Sequence, residues 1–176
     1  MEKEWGRRSI RLRGFDYTQP GGYFVTICTC GRENLLGEVV AHEMRLNSFG
    51  KAVAEAWRAI PSHFHLAEID AFAVMPNHIH GIIMLEAEVG AKRASPLRQR
   101  EARGTAKGSL PTVVQSFKSA AARSVNQIRG TPGKPLWQRG YFERVIRGPD
   151  ELDLIRGYIE QNPLLWQLDQ ENPSRT

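Results

Sequence analysis

The stretch Phe72-Ala-Val-Met-Pro-Asn-His-Ile-His-Gly-Ile-Ile-Met84 constrains the fold more than any other part of the chain. Two apolar runs flank Pro76-Asn77, a dipeptide of turn-forming residues. The pattern predicts two antiparallel strands, over 66–75 and 78–85, joined by a tight turn. Side chains two apart on a strand share a face, so His78 and His80 are expected to project together from one side of a sheet. Two imidazoles so placed can share one divalent ion. His63-Phe64-His65 repeats the spacing, but it falls where a helical pattern is ending and strand geometry is not assured.

The rest of the chain supplies partners for this hairpin. After a turn at Gln19-Pro-Gly-Gly22, the β-branched and aromatic run Tyr23–Thr29 predicts a first strand. Leu36–Val40 and Met44–Leu46 suit a small hairpin. Asn47 or Ser48 can cap a helix running to about Ile60, with Phe49, Val53, Trp57 and Ile60 on one stripe and Pro61 close to its end. Pro111 opens another helix, ending by Gly130, whose buried stripe is Val113, Val114, Phe117, Ala121 and Val125. A fourth strand lies within 136–146. Gly148-Pro-Asp150 starts a last helix that must stop near Asn162, because Pro163 follows. The order β, α, β, β, α, β, α predicts an α+β, ferredoxin-like fold: an antiparallel sheet with two helices packed on one face and an additional C-terminal helix.

A chain of 176 residues, 41% hydrophobic and 24% charged, is expected to form one domain spanning 1–176 with a real core. No apolar run approaches the ~20 residues that span a bilayer, and the charged start has no apolar segment behind it. The expectation is a cytoplasmic protein with no membrane partner. Cys28 and Cys30 are expected side by side on one face of the first strand, as small buried hydrophobes in a reducing compartment. The net charge of +5 is unevenly placed. Five cations oppose two acids in the tail 1–13, and six oppose two in 87–109, a stretch without periodicity that reads as a flexible loop. Cationic arms on a near-neutral body point to a polyanion partner, nucleic acid.

On the last helix, Tyr158 and Asn162 lie one turn apart, in the same stripe as Ile155 and Ile159, and so face the body of the protein. A phenol is a poor nucleophile at its ordinary pKa of about 10. An ion held by His78, His80 and Asn162 would polarise a bound phosphodiester and stabilise the transition-state charge, leaving the phosphate on Tyr158 and a free 3′-hydroxyl. No acidic side chain is evident as a further ligand, so water and substrate would complete the shell. Open, oxygen-rich shells suit Mg²⁺ or Mn²⁺, whereas zinc sites draw on Cys or more His.

These residues resemble the HUH single-tyrosine transposases, and within them the REP-associated branch. The resemblance runs through Arg11-Leu-Arg-Gly-Phe-Asp-Tyr17, Gly22-Tyr-Phe-Val-Thr26, Met75-Pro-Asn-His-Ile-His80, Trp137-Gln-Arg-Gly-Tyr-Phe-Glu143 and Tyr158-Ile-Glu-Gln-Asn-Pro163. It implies a ferredoxin-like fold, metal-dependent cleavage of single-stranded DNA beside a REP-like hairpin, and a 5′-phosphotyrosine intermediate that permits strand transfer. By position Tyr158 matches the nucleophile, and His78 and His80 the histidine pair. Insertion-sequence relatives often carry Gln where this chain has Asn162. The candidate DNA contacts are Arg7, Arg8, Arg11 and Arg13 of the tail, with Arg139 and Arg144. The competing class is a non-catalytic nucleic-acid-binding module on the same kind of sheet, but the exposed aromatic strand which RNA recognition needs is not found.

Overall fold

The computed structural model describes residues 15–87, 108–169 and 171–172. The tail arginines Arg7, Arg8, Arg11 and Arg13, and nearly all of the basic 87–109 loop, lie outside the described residues. A four-stranded sheet is built from β1 (Gly21–Cys28), β4 (Ala67–Val74), β5 (His78–Leu85) and β6 (Phe142–Ile146), in the spatial order β4-β5-β1-β6. Every neighbouring pair is antiparallel. β2 (Gly37–Val40) and β3 (Glu43–Leu46) pair as a separate hairpin. The expected turn at Pro76-Asn77 is present, closed by the Met75 N–H donating to the His78 carbonyl at 2.8 Å.

The period of two sorts β1 and β5 between two cores. Tyr23, Val25 and Ile27 of β1 join Ile79, Ile83 and Leu85 of β5 on one face. Against them pack Val53 and Trp57 of α1 (Ser48–Arg58), and Val113, Val114, Phe117, Ala121 and Val125 of α3 (Leu110–Ile128). The opposite face carries Phe24 and Ile82, which meet Ile155 and Ile159 of α4 (Pro149–Gln161). This is the antiparallel α+β arrangement that the element order predicts, with the last helix on the histidine face.

Local chemistry explains the boundaries. The Asn47 side-chain oxygen accepts from the Phe49 and Gly50 N–H groups at 2.9 and 3.0 Å, a cap of the kind that contributes about 1 kcal/mol. Pro61 does not close α1. It sits in the first turn of a short separate helix, α2 (Ile60–His63), where its missing N–H would have no partner in any case. β1 also ends sooner than expected: Cys30 opens a 3₁₀ turn through Arg32, with Gly31 at φ 66°, and is exposed, so the two cysteines do not share a face as buried residues. Among the described residues no helix is long and apolar enough to cross a membrane.

Gly81, between His80 and Ile82, is required by close approach. A Cβ there would lie 2.3 Å from the Trp57 ring, itself fully buried. Gly81→Ala is therefore expected to cost about 3 kcal/mol through overpacking, read as a lower urea midpoint at unchanged slope. An unchanged midpoint would mean that the indole has room to move.

Candidate active site

His78 and His80 stand on β5 facing α4, and both are buried. The Asn77 amide nitrogen donates to the Arg32 and Glu171 carbonyls at 3.2 and 2.6 Å, which turns its oxygen toward His78 Nδ1, 2.8 Å away. An amide oxygen only accepts, so His78 carries its proton on Nδ1 and its Nε2 lone pair points into the site. That Nε2 lies 2.9 Å from His80 Nε2, while His80 Nδ1 is 2.8 Å from the Thr26 hydroxyl, its cross-strand partner on β1. The Tyr158 Oη is 3.2 Å from His80 Nε2. The α4 helix thus delivers the phenol to the histidine pair.

The structure adds a carboxylate that the sequence reading lacks. After α4 the chain reverses through a 3₁₀ turn at Trp166–Leu168, and Asp169 returns beneath the histidines. Its Oδ2 is 4.0 Å from both Nε2 atoms, so His78, His80 and Asp169 form a compact set with metal-ligand chemistry. Asn162 is also buried here: its Nδ2 donates to Asp169 Oδ2 at 2.9 Å, while its Oδ1 is buried with no hydrogen-bond partner. Two converging imidazole nitrogens and a carboxylate, with a buried unpartnered oxygen on the amide that bonds that carboxylate, fit a divalent cation. Trp166 lies with its ring 5.9 Å from that of His78, and Glu171 pairs with Arg32 at 3.0 Å, tying the returning segment down. Trp166, beyond the helix-stopping Pro163, was the available signal that the chain keeps packing there.

Electrostatics follow from burial. Burial first, and then His80, depress the His78 imidazole below an ordinary histidine, so it stays neutral and able to ligate. Burial would raise the Asp169 carboxyl, but His80, the Glu171 N–H and the Asn162 amide outweigh it and hold the group below the usual carboxylate range. The Tyr158 phenol is raised by burial and by Asp169, with Asn162 opposing. Burial and Glu171 push the Cys28 thiol up to about 12, so it is no thiolate.

The floor of this site opens into a cleft of about 1340 Å³ lined by Thr26, Arg32, His80, Arg139, Arg144 and Tyr158, among others. Arg139 and Arg144 are exposed at its wall, Arg144 in an ion pair with Glu151. Arg32, absent from the sequence-based set, joins them from the turn after β1. His63 and His65 are exposed at and beyond the end of α2 and take no part.

Comparison with known proteins places the chain. An uncharacterized protein of Haemophilus influenzae is 39% identical over 170 residues, covering 93% of this chain and 92% of that protein. The chain belongs to that protein's family. No family model matches it. Among solved structures, the family's fold is similar to that of a REP-associated tyrosine transposase bound to a REP hairpin, with a TM-score of 0.56 and 18% identity, over 88% of this chain and 73% of that one. The likeness is one of fold.

Proposed function

We propose that this protein is a metal-dependent nuclease and strand transferase that cleaves single-stranded DNA beside REP-like hairpins through a 5′-phosphotyrosine. The observation that carries the reading is the placement of the Oη of half-exposed Tyr158 3.2 Å from His80 Nε2, above a buried His78–His80–Asp169 set and at the foot of an arginine-lined cleft. A phenol kept protonated by its surroundings is ill suited to act alone. Beside a Lewis-acid site it has a role, which favours an enzyme over a simple binding module.

His78, His80 and Asp169 would hold the ion, with the Asn162 side-chain oxygen as a further ligand. When bound, Mg²⁺ or Mn²⁺ would supply positive charge to a non-bridging phosphate oxygen. The chain's own groups do the rest. Thr26 and Asn77 fix the two imidazole orientations from behind, as outer hydrogen-bond partners do in metal sites. Tyr158 Oη forms a bond to phosphorus as the bond from phosphorus to O3′ breaks; the phenol releases its proton to solvent in the cleft and the leaving oxygen takes one up, so a 3′-hydroxyl departs. Arg32, Arg139 and Arg144 suit flanking phosphates, and the exposed Phe142 on β6 suits an unstacked base. Fold similarity to a protein solved with a REP hairpin supports a hairpin as the neighbouring duplex.

The test is to incubate the protein with labelled single strands carrying a REP-like hairpin, with Mg²⁺ or Mn²⁺ and with chelator. The expected result is an adduct that survives denaturation, requires the metal, and joins the label 3′ of the cut to protein. Hairpin binding without any adduct would leave a non-catalytic binding module instead.

A further inference from the structure

The α4 helix rests on the sheet through a smaller apolar cluster than the one that α1 and α3 form on the opposite face. Its buried apolar contact with the sheet comprises Phe24, Ile82, Ile155 and Ile159, with Ala71, Ala73, Met84, Ile146 and Leu152 at the rim. Tyr158 itself is 45% exposed, and its ring meets His80 and Phe24 on one side, at centroid distances of 5.2 and 6.1 Å. Enclosure does not set the position of the phenol, so the helix must. A helix on a small apolar patch can roll about its axis at low cost.

The polar contact of α4 with β4 resists such a roll. Arg156, two residues before Tyr158, donates from Nε to Asp70 Oδ1 at 2.8 Å and from Nη2 to Asp70 Oδ2 at 2.7 Å, while its Nη1 reaches Asp153 Oδ1 at 2.9 Å. A planar guanidinium gripping a carboxylate at both oxygens fixes angle as well as distance. Asp70 is aimed by an irregularity in β4. Ile69 pairs with Ile83 but Phe72 pairs with Gly81, so Asp70 and Ala71 together oppose Ile82. This bulge leaves Ile69 and Phe72 on the large core, while Ala71 and Ala73 lie on the α4 side. The Asp70 Oδ1 also accepts the Ala71 N–H at 2.7 Å, which stiffens the carboxylate.

We propose that Asp70 and Arg156 are positioning residues: the fork seated on the β4 bulge sets the rotation of α4 that holds Tyr158 over His80. The inference rests on the reading of Tyr158 as the nucleophile. Arg156→Lys keeps the charge and loses the fork; Asp70→Asn keeps the shape and loses the charge. Each variant is expected to slow single-turnover adduct formation at saturating DNA about 10- to 100-fold, the scale of an ångström-size misplacement, with hairpin affinity unchanged. The double variant should be no slower than the worse single one, because both changes break the same contact.

A DNA-free measurement separates this inference from the reading beneath it. In the unaltered protein, proton–proton NMR contacts should join the Tyr158 ring to His80; in both variants those contacts should vanish while contacts between His78 and His80 persist. Retention of the Tyr158–His80 contacts in both variants overturns the proposal whatever the activity, as do adduct rates within twofold of the unaltered protein. If the unaltered protein forms no adduct, the nuclease reading has failed, and the proposal, which concerns the nucleophile, falls with it even where the NMR contacts respond.

Discussion

Tyr158→Phe is expected to abolish the covalent adduct, by at least about a thousandfold, while hairpin binding and unfolding midpoint stay unchanged. Tyr158 is half exposed, and its Oη contact of 3.2 Å to His80 is with a ring that Thr26 already orients. The remaining tyrosines act as controls. Tyr17 and Tyr23 are buried in the large core, where Tyr23 donates to the Gln19 carbonyl at 2.7 Å, and neither is placed to meet a phosphate. Tyr141 does line the cleft. An adduct that survives Tyr158→Phe and disappears with Tyr141→Phe would move the nucleophile from α4 to the residue before β6.

The second large effect concerns the ligand set. His80→Ala and His78→Ala should each lower the adduct rate at least about 100-fold, and Asp169→Asn should raise the Mg²⁺ or Mn²⁺ concentration needed for half-maximal rate by about 10- to 100-fold. His78→Ala also strands the Asn77 side-chain oxygen, an expected stability loss of about 1–3 kcal/mol, so its rate is to be compared at a temperature where unfolding curves show it folded. Asn162→Ala separates two roles. A ligand oxygen predicts a shifted metal titration, whereas a mere partner of Asp169 predicts a stability change with superimposable curves. His63→Ala and His65→Ala, both at exposed positions, should match the unaltered protein throughout. Activity lost in that pair and kept in the other would show that the site is misplaced.

Much of this site is written in short-range pattern. The alternation across 78–85 already puts His78, His80 and Ile82 on one face, because strand geometry leaves no other arrangement once Ile79 and Ile83 are buried. The spacing from Tyr158 to Asn162 is likewise a helical turn; Tyr158 comes to His80, and Asn162 to Asp169. Asp169 was not legible. It belongs to neither a strand nor a longer helix, and nothing in its neighbours' periodicity records that the chain folds back beneath β5. The same holds for Arg32, whose place at the cleft depends on a left-handed turn, at φ 55°, that ends β1 early.

By itself, the sequence determined the element order, the faces of the strands and helices, and hence an antiparallel sheet with the histidine pair exposed to a final helix. Those are properties of adjacent residues, set by periods of 2 and 3.6 and by proline, glycine and capping chemistry. Only the tertiary structure decided which groups close around the pair. Asp169 arrives by a chain reversal, Asp70 meets Arg156 because a bulge shifts the phase of β4, and Gly81 is a glycine because an indole from α1 occupies the space of its side chain. Each depends on segments distant in the chain sharing one volume, and local propensity carries no record of that.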